Sequence, residues 1–319
     1  MKKVLITGGF GTLGSSLTKI LCKKGFKIFI LDRSKKKRII NSFGKSKIIR
    51  LYGNFNNLDQ VTKILKKNKF CTIIHLGAIM QTVKSNLSPL NTFNTNITGT
   101  INILEAVRVV DKKINIIFSS SAKAYGKMKG KAFIESDALH GDYPYDVSKS
   151  AADLISQSYS KTYNLKIGII RSGNIYGPGD NDLHRLIPGV IVRAIKDETI
   201  KLRASSKFSR EYIYVDDLSS AYYKLLLYMN KNNNKKLFIY NISSKSNLNN
   251  LQIIKSIRKI INTKSKILFL NNTSIENITQ RLNYNKATKE LNWKPTNSFD
   301  DGISKTVNWY KKNHKNLTE

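Results

Sequence analysis

Acidic side chains are scarce in this chain. Against 55 Lys and Arg stand only 21 Asp and Glu, a formal net charge of +34 over 319 residues. Such an excess first suggests a nucleic acid or an anionic membrane as partner. The basic residues, however, fall in short separate clusters, with whole structural elements between them: Lys35-Lys36-Lys37-Arg38, Lys66-Lys67, Lys112-Lys113, Lys235-Lys236 and Lys311-Lys312. No basic tail, zinc-finger spacing, zipper heptad or RNA-binding aromatic motif accompanies them, so no nucleic-acid partner is expected. The charge reads as a general positive field that gathers small anions. Cysteine is nearly absent, and Cys22 with Cys71 cannot build a disulfide framework, which points to a reducing compartment. The histidines His75, His140, His184 and His314 lie far apart without ligand spacing, and no metal site is expected. No apolar run approaches the roughly 20 residues of a membrane span. Met1-Lys2-Lys3 followed by VLITGG is not a signal peptide. The expectation is a cytoplasmic protein with no membrane partner.

What is present is patterned apolar sequence. With 40% apolar and 24% charged residues the chain can bury a core, and its length fits one large or two ordinary domains. VLIT (4–7), IFIL (28–31), KIIRL (47–51), TIIHL (72–76) and INIIF (114–118) read as buried strands. Helical periodicity fills 12–24, 58–67 and 97–110, and a longer helix at about 146–162 precedes the strand KIGII (166–170). Strands apolar on both faces, alternating with helices, imply an α/β protein with a Rossmann-type doubly wound parallel sheet. Beyond Arg171, helices at 183–196, 216–229, 250–261 and 300–312 accompany strands FIYNI (238–242) and KILFL (266–270). These form a smaller α/β portion interleaved with the first. The expected division is a dinucleotide-binding unit over 1–172, to which later segments return, and a mainly substrate-binding unit over 173–319.

Directly after the first strand comes TGGFGTLG (7–14), with Gly8, Gly11 and Gly14 spaced G-x-x-G-x-x-G. Glycines permit a tight strand-to-helix turn and close approach of backbone to a pyrophosphate, which the helix N-terminus then holds. Phe10, Thr12 and Leu13 of the same turn belong to the expected cofactor site. Asp32 ends the second strand eighteen residues past Gly14, placed to accept hydrogen bonds from a ribose diol. A 2′-phosphate would sit against that carboxylate, so the cofactor read here is NAD rather than NADP. Arg33 and the cluster Lys35 to Arg38 stand nearby to neutralise such a phosphate.

Tyr145-Asp146-Val147-Ser148-Lys149 sets a tyrosine and a lysine four residues apart, on one face of a helix start. A phenol is a poor base at neutral pH, with an unperturbed pKa of about 10. A nearby ammonium and an oxidised nicotinamide, both positive, favour its ionised form. Tyr145 is then placed to take a proton from a sugar hydroxyl as its carbon loses hydride. Ser119-Ser120-Ser121 closes the strand INIIF at its carboxyl end, where a doubly wound sheet collects ligands.

These residues resemble the extended short-chain dehydrogenase/reductase family, the NAD-dependent nucleotide-sugar epimerases and dehydratases, over essentially the whole chain. The matching stretches are TGGFGTLG, IIHLGA (73–78), NITGTINILEA (96–106), FSSSAKAYG (118–126), YDVSK (145–149), RSGNIYGPGD (171–180), REYIYVDDL (210–218) and LNWKP (291–295). The resemblance implies a catalytic set of Ser121, Tyr145 and Lys149, with Asn96 supporting the lysine. It implies a cofactor site completed by Asn54, Phe55, Leu76, Gly77, Ala78, Asn96 and Ser119; many relatives have aspartate at Asn54 and alanine at Gly77. His75 stands at the head of that cofactor-lining stretch. Lys123, Asn174 and Arg210, with Arg185 and Arg281 as weaker candidates, would hold a nucleotide-diphospho-sugar. Homodimerisation through the helices at 97–110 and 146–162 is likewise implied.

The resemblance leaves two reactions in contention. The segment from Tyr145 to Tyr223 looks most like CDP-glucose 4,6-dehydratases. Those enzymes follow the active-site hydroxyl with an aspartate and then a glutamate or lysine, whereas here the order is Ser121-Ala122-Lys123. Removing water across C5 and C6 of the hexose needs a base and an acid, and alanine supplies neither; Glu135 or Asp137 would have to substitute. SSSAKAYG fits UDP-hexose 4-epimerases, so 4-epimerisation is the expected reaction. A 4,6-dehydratase, a 4-keto-sugar reductase and a catalytically silent NAD-binding regulator are the alternatives.

Overall fold

The computed structural model describes residues 2–33, 48–128, 130–202, 209–270 and 280–314. The cluster Lys35 to Arg38 and the first residue of KIIRL lie outside them. Six strands form in the order read from the apolar runs: β1 (Lys3–Thr7), β2 (Lys27–Asp32), β3 (Ile48–Tyr52), β4 (Thr72–His75), β5 (Asn115–Ser119) and β6 (Ile167–Ser172). They are followed by β7 (Asn174–Tyr176), β8 (Ile200–Leu202), β9 (Ser209–Tyr214), β10 (Leu237–Ile242), β11 (Asn247–Asn249) and β12 (Ile267–Phe269). Seven of these make one sheet in the order β10-β6-β5-β4-β1-β2-β3, with every pairing parallel. The chain thus returns, at β10, to a sheet begun more than two hundred residues earlier. Two small sheets, β11-β9-β7 and β12-β8, are formed by the segments on either side of β10 in sequence.

Period-two alternation explains the burial. Val4, Ile6, Ile28, Ile30, Ile74, Ile117 and Ile170 pack into the core on one face. Their neighbours Leu5, Phe29, Leu31, Ile73, Ile116, Phe118 and Ile169 enter the core on the other. Both faces are buried because helices cover both. α1 (Thr12–Lys23) and α2 (Leu58–Lys67) are followed by α3 (Thr82–Leu87), α4 (Pro89–Phe93), a π-helical turn at Asn94–Thr98 and α5 (Gly99–Val110). Then come a short 3-10 turn at Ala122–Tyr125, α6 (Pro144–Tyr163), α7 (Leu186–Ile195) and α8 (Val215–Lys231). α9 (Asn250–Ile261), α10 (Asn285–Leu291) and α11 (Phe299–Asn313) complete the fold. α1 packs on α8 over one face, and α2 on α5 over the other. Gly168 in β6 is where α8 comes closest: a Cβ there would lie 2.8 Å from Met229 Sδ.

Several elements depart from the periodicity. The helix expected over 97–110 begins with the π-helical turn, and α3 and α4 precede it where none was expected. Their apolar residues Val83, Leu87 and Leu90 point outward, so they leave no core-facing stripe to read. β7, β8, β9 and β11 were also not expected; all but β9 are three residues long and all pair with distant segments. Among the described residues no helix is long and apolar enough to cross a membrane. No group of His, Cys, Asp and Glu there could hold a metal.

Two buried polar arrangements hold the carboxyl edge of the sheet. In the first, the backbone N–H of Gly77 donates to Thr7 Oγ1 (3.0 Å), so the Thr7 hydroxyl donates onward to His75 Nδ1 (2.7 Å). His75 Nε2 then carries the ring proton toward Thr100 Oγ1 (3.2 Å), and that hydroxyl donates to the Asn96 carbonyl (2.7 Å). His75 is therefore a core residue tying β1, β4 and α5 together, rather than one lining the cofactor. Burial, helped by the Lys149 cation, lowers its pKa to about 3. In the second, Arg171 of β6 makes a bidentate pair with Asp153 of α6 at 2.9 and 3.0 Å, both side chains almost fully buried. Its remaining terminal nitrogen donates to Tyr125 Oη (2.8 Å) and the Glu135 carbonyl (3.0 Å).

The neutral His75 makes stability fall in acid. An unfolded histidine takes a proton near pH 6.5, the folded one only near 3. Stability from this group is therefore complete above 6.5 and drains as pH falls toward 3. At pH 4.5 the loss relative to pH 7 should be about 2–3 kcal/mol larger in the native chain than in His75→Asn, read by urea unfolding. Equal pH slopes in the two proteins would show that His75 is not buried neutral. Asp153→Asn leaves Arg171 as an uncompensated buried charge and should cost about 3–5 kcal/mol. A loss under about 1 kcal/mol would show that the clamp is not what holds α6 to the sheet.

Candidate active site

The glycine turn between β1 and α1 closes as its spacing requires. Gly8 has φ +70°, a conformation that side chains with a Cβ rarely adopt, and its carbonyl accepts from Gly11 N–H at 3.0 Å. A Cβ on Gly14 would meet the Gly8 carbonyl and lie 2.6 Å from Gly9 Cα, so only glycine lets α1 seat against the turn. α1 begins without a side-chain cap on Gly11 and has no acid in its first turn. Its N-terminal N–H groups are thus left to an external anion, and the cradle fits a pyrophosphate. Thr12, Leu13, Leu76, Ala78 and Ser119 line the adjoining cleft, which measures about 1020 Å³. Asp32 ends β2 as expected, but Arg50 of β3 donates to its carboxylate at 2.7 Å. Arg50 also stacks over the Phe10 ring, with 5.1 Å from its guanidinium carbon to the ring centroid.

Other residues expected at the cofactor are placed by packing. Asn54 spends its side-chain oxygen on the backbone N–H of Asn56 (3.1 Å). Phe55 stands edge-on to His75 and fills the space beside Gly77, where a Cβ would lie 2.7 Å from its ring. That phenyl ring is the physical reason this chain has glycine where alanine is usual. Asn96 does not reach the lysine. Its amide is bound by the Ile79 backbone N–H (2.8 Å) and carbonyl (2.9 Å) and by Ser148 Oγ (2.9 Å). The π-helical turn that carries Asn96 thereby holds α6 from the side, one residue before Lys149.

At the head of α6, Tyr145 and Lys149 face the same cleft as Ser121. Tyr145 is buried, hydrogen-bonded with Ser121, and pushed up to about 12 by that burial. The Ser121 hydrogen bond pulls the other way, the Asp146 carboxylate adds to the rise, and the Arg185 cation opposes it. Lys149 donates to the Ser119 carbonyl at 2.7 Å; burial lowers it to about 8, opposed by the Asp153 carboxylate. The lysine thus stays largely protonated at neutral pH, while the phenol needs further positive charge to ionise. A cation brought against Tyr145 is what the arrangement is built to answer.

The expected substrate residues divide. Lys123, Asn174, Arg185 and Arg210 line the cleft. Lys123 bonds Thr82 Oγ1 at 3.0 Å and lies 5.9 Å from the centre of the Tyr145 ring. Burial, with Arg210 nearby, lowers it to about 8. Arg185 is engaged within the protein, by Asp180 at 2.5 Å and the Ile175 carbonyl at 2.5 Å. Arg281 lies elsewhere: it is exposed, outside the cleft lining, and donates to the Gly130 carbonyl at 3.2 Å. Asp146, which sequence reasoning passed over, is 1% exposed, and its Oδ1 has no hydrogen-bond partner. Burial raises it to about 6 against the Lys123 and Arg210 cations. Nothing but its place beside Tyr145 could have marked it beforehand. Neither acid weighed for a dehydration reaches the cleft. Glu135 accepts from the Asn241 N–H (2.8 Å) and Asp137 from the Ile134 N–H (2.8 Å).

The chain is similar over nearly its whole length to known proteins. Residues 5–306 match the family described as GDP-mannose 4,6 dehydratase. The chain is 28% identical to a dTDP-D-glucose 4,6-dehydratase of Dictyostelium discoideum, over 98% of this chain and 82% of that one. It is 26% identical to a UDP-glucuronate 4-epimerase of Thermodesulfobacterium geofontis, over 97% and 96% of the two chains. In fold it is similar to DesIV, a dTDP-glucose 4,6-dehydratase from Streptomyces venezuelae solved with NAD bound. That likeness has TM-score 0.89 at 22% identity and covers 98% of each chain. With the matched region spanning nearly all of the sequence, the chain belongs to the GDP-mannose 4,6 dehydratase family of nucleotide-sugar dehydratases and epimerases.

Proposed function

We propose that this chain is an NAD-dependent 4-epimerase of a nucleotide-diphospho-hexose. The observation that carries the choice is the acid inventory of the cleft. Among its described lining residues the carboxylates are Asp182 and Glu211. Asp182 is bound by Gln81 and the His184 N–H; Glu211 is bound by Ser243 and the Leu282 N–H. Ala122 stands where the dehydratases place their acid, and among the described lining residues no carboxylate is left unengaged to face a leaving hydroxyl, whereas epimerisation requires none. The glycine turn, Asp32 and the head of α1 would hold NAD, which supplies a hydride acceptor for the sugar carbon and returns that hydride.

The chain's own part is proton handling and positioning. Tyr145 removes the proton of the sugar hydroxyl and gives it back, and Ser121 hydrogen-bonds the same oxygen. Lys149, fixed on the Ser119 carbonyl, keeps positive charge at the base of the site. Arg210, Lys123 and Asn174 hold the diphosphate and sugar. A cleft of about 1020 Å³ gives a keto-sugar room to turn and present its other face. The division at residue 172 belongs to the same proposal, cofactor below and substrate above. Cysteine is limited to Cys22 and Cys71, too few for a disulfide framework, which fits a reducing cytoplasm. A homodimer is supported by exposed apolar side chains on the paired helices α5 and α6, Val109 (53%) and Leu154 (51%) among them.

A 4,6-dehydratase remains the second reading, favoured by Lys123 in the cleft and by the identity to the Dictyostelium enzyme. Purified protein incubated with NAD and UDP-, CDP-, GDP- and dTDP-hexoses, followed by NMR, should interconvert C4 epimers. A 4-keto-6-deoxy product would overturn the choice. Tyr145→Phe should lower turnover by about 10²–10⁴-fold with an unchanged melting temperature; undiminished turnover would refute the assignment of Tyr145. In sedimentation equilibrium the native chain should run at twice its chain mass and Leu154→Arg at one chain mass. A native monomer would remove the dimer proposal.

A further inference from the structure

Arg50 was not singled out by any sequence pattern, because a charged residue in a strand at a sheet edge reads as a solvated one. The fold gives it another setting. β3 is the last strand of the large sheet and pairs with β2 so that Arg50 lies opposite Ile30, and Tyr52 opposite Asp32. The Arg50 side chain is only 15% exposed and lies 2.7 Å from an Asp32 carboxylate oxygen that is itself largely buried. Its guanidinium carbon is 5.1 Å from the ring centre of Phe10, in the glycine turn, and 5.1 Å from that of Tyr52, on its own strand. A planar cation set against two rings and paired with a carboxylate is held by its own strand, the glycine turn and β2. It is therefore a fixed part of the site at the end of β2.

That position governs which dinucleotide fits. A lone carboxylate at the end of β2 accepts from the ribose 2′-hydroxyl and repels a 2′-phosphate. Here the carboxylate is paired with a cation pinned at hydrogen-bonding distance, so the local charge met by a phosphate is near zero rather than −1. Arg33, the next residue along the chain from Asp32, is exposed and adds positive charge on the solvent side. We propose that Arg50 is a cofactor-specificity residue: by neutralising Asp32 it lets this site take NADP as well as NAD, with weak discrimination between them. The inference rests on the dinucleotide reading of the glycine turn given above, and concerns the 2′ position alone.

The test is equilibrium binding, independent of turnover. Charcoal-treated protein is titrated calorimetrically with NAD and with NADP at fixed ionic strength, for the native chain, Arg50→Met, Arg50→Lys and Tyr52→Leu. The native chain should bind NADP within about tenfold of NAD. Arg50→Met should raise the ratio of the NADP to the NAD dissociation constant at least tenfold, with the smaller change in NAD. Arg50→Lys keeps the charge and should hold the ratio near native. Tyr52→Leu removes one stacking face from a 59% exposed position and should shift the ratio in the same direction as Arg50→Met, by less. It provides the comparison should Arg50→Met fail to melt cooperatively. An unchanged ratio in Arg50→Met and Tyr52→Leu, or a native ratio already above a hundredfold, overturns the proposal. Binding of neither nucleotide by the folded native chain overturns the dinucleotide reading itself, a result distinct from either of those.

Discussion

The bidentate pair between Arg171 and Asp153 is the interaction on which the site depends. It lies in the interior, where a charge left alone costs several kcal/mol, and the surroundings answer it completely. Nε and one terminal nitrogen of Arg171 bind the two carboxylate oxygens. The other terminal nitrogen binds Tyr125 Oη and the Glu135 carbonyl, and Tyr125 Oη donates on to Asn241 in β10. One guanidinium thus fastens the catalytic helix α6, strands β6 and β10, the 3-10 turn after Ser121 and the loop at Glu135. Asp153 lies one helical turn beyond Lys149, and the same carboxylate that clamps Arg171 opposes the loss of the lysine's proton. Structure and proton chemistry share a group.

Burial, rather than proximity of Tyr145 to Lys149, sets the electrostatics of the cleft. It raises the phenol and lowers both lysines. The cation that counts against the phenol's burial comes from a distance in sequence: it is Arg185, at the head of α7. The large surplus of lysine across the surface adds an attractive field for small anions, but the cleft itself is lined by few charged groups among the described residues.

Small substitutions relative to the family pattern are compensated locally. Glycine at position 77 makes room for Phe55, which in turn packs on His75. Asn96, bound to Ile79 and Ser148, steadies the helix that carries the lysine without touching the lysine itself. These contacts change which residue does the positioning, and leave the arrangement of Ser121, Tyr145 and Lys149 around the cleft intact.

Much of this was legible in the residues alone. Buried strands reveal themselves by apolar runs, and the turn at Gly8, Gly11 and Gly14 by steric need, since both are local properties. The pairing of Tyr145 with Lys149 follows from helical spacing in the same way. The short strands β7, β8, β9 and β11 and the helices α3 and α4 left no such trace. Their stability comes from distant partners or from faces that point away from the core. The same limit hid Arg50 on Asp32, the burial of Asp146 and the place of Arg281 outside the cleft lining. Sequence determined the fold class, the glycine turn and the placing of Tyr145 and Lys149 on one helical face, because each rests on contacts within a few residues. Only the tertiary structure decided which charges meet, since Coulomb and desolvation energies depend on distance and burial in space.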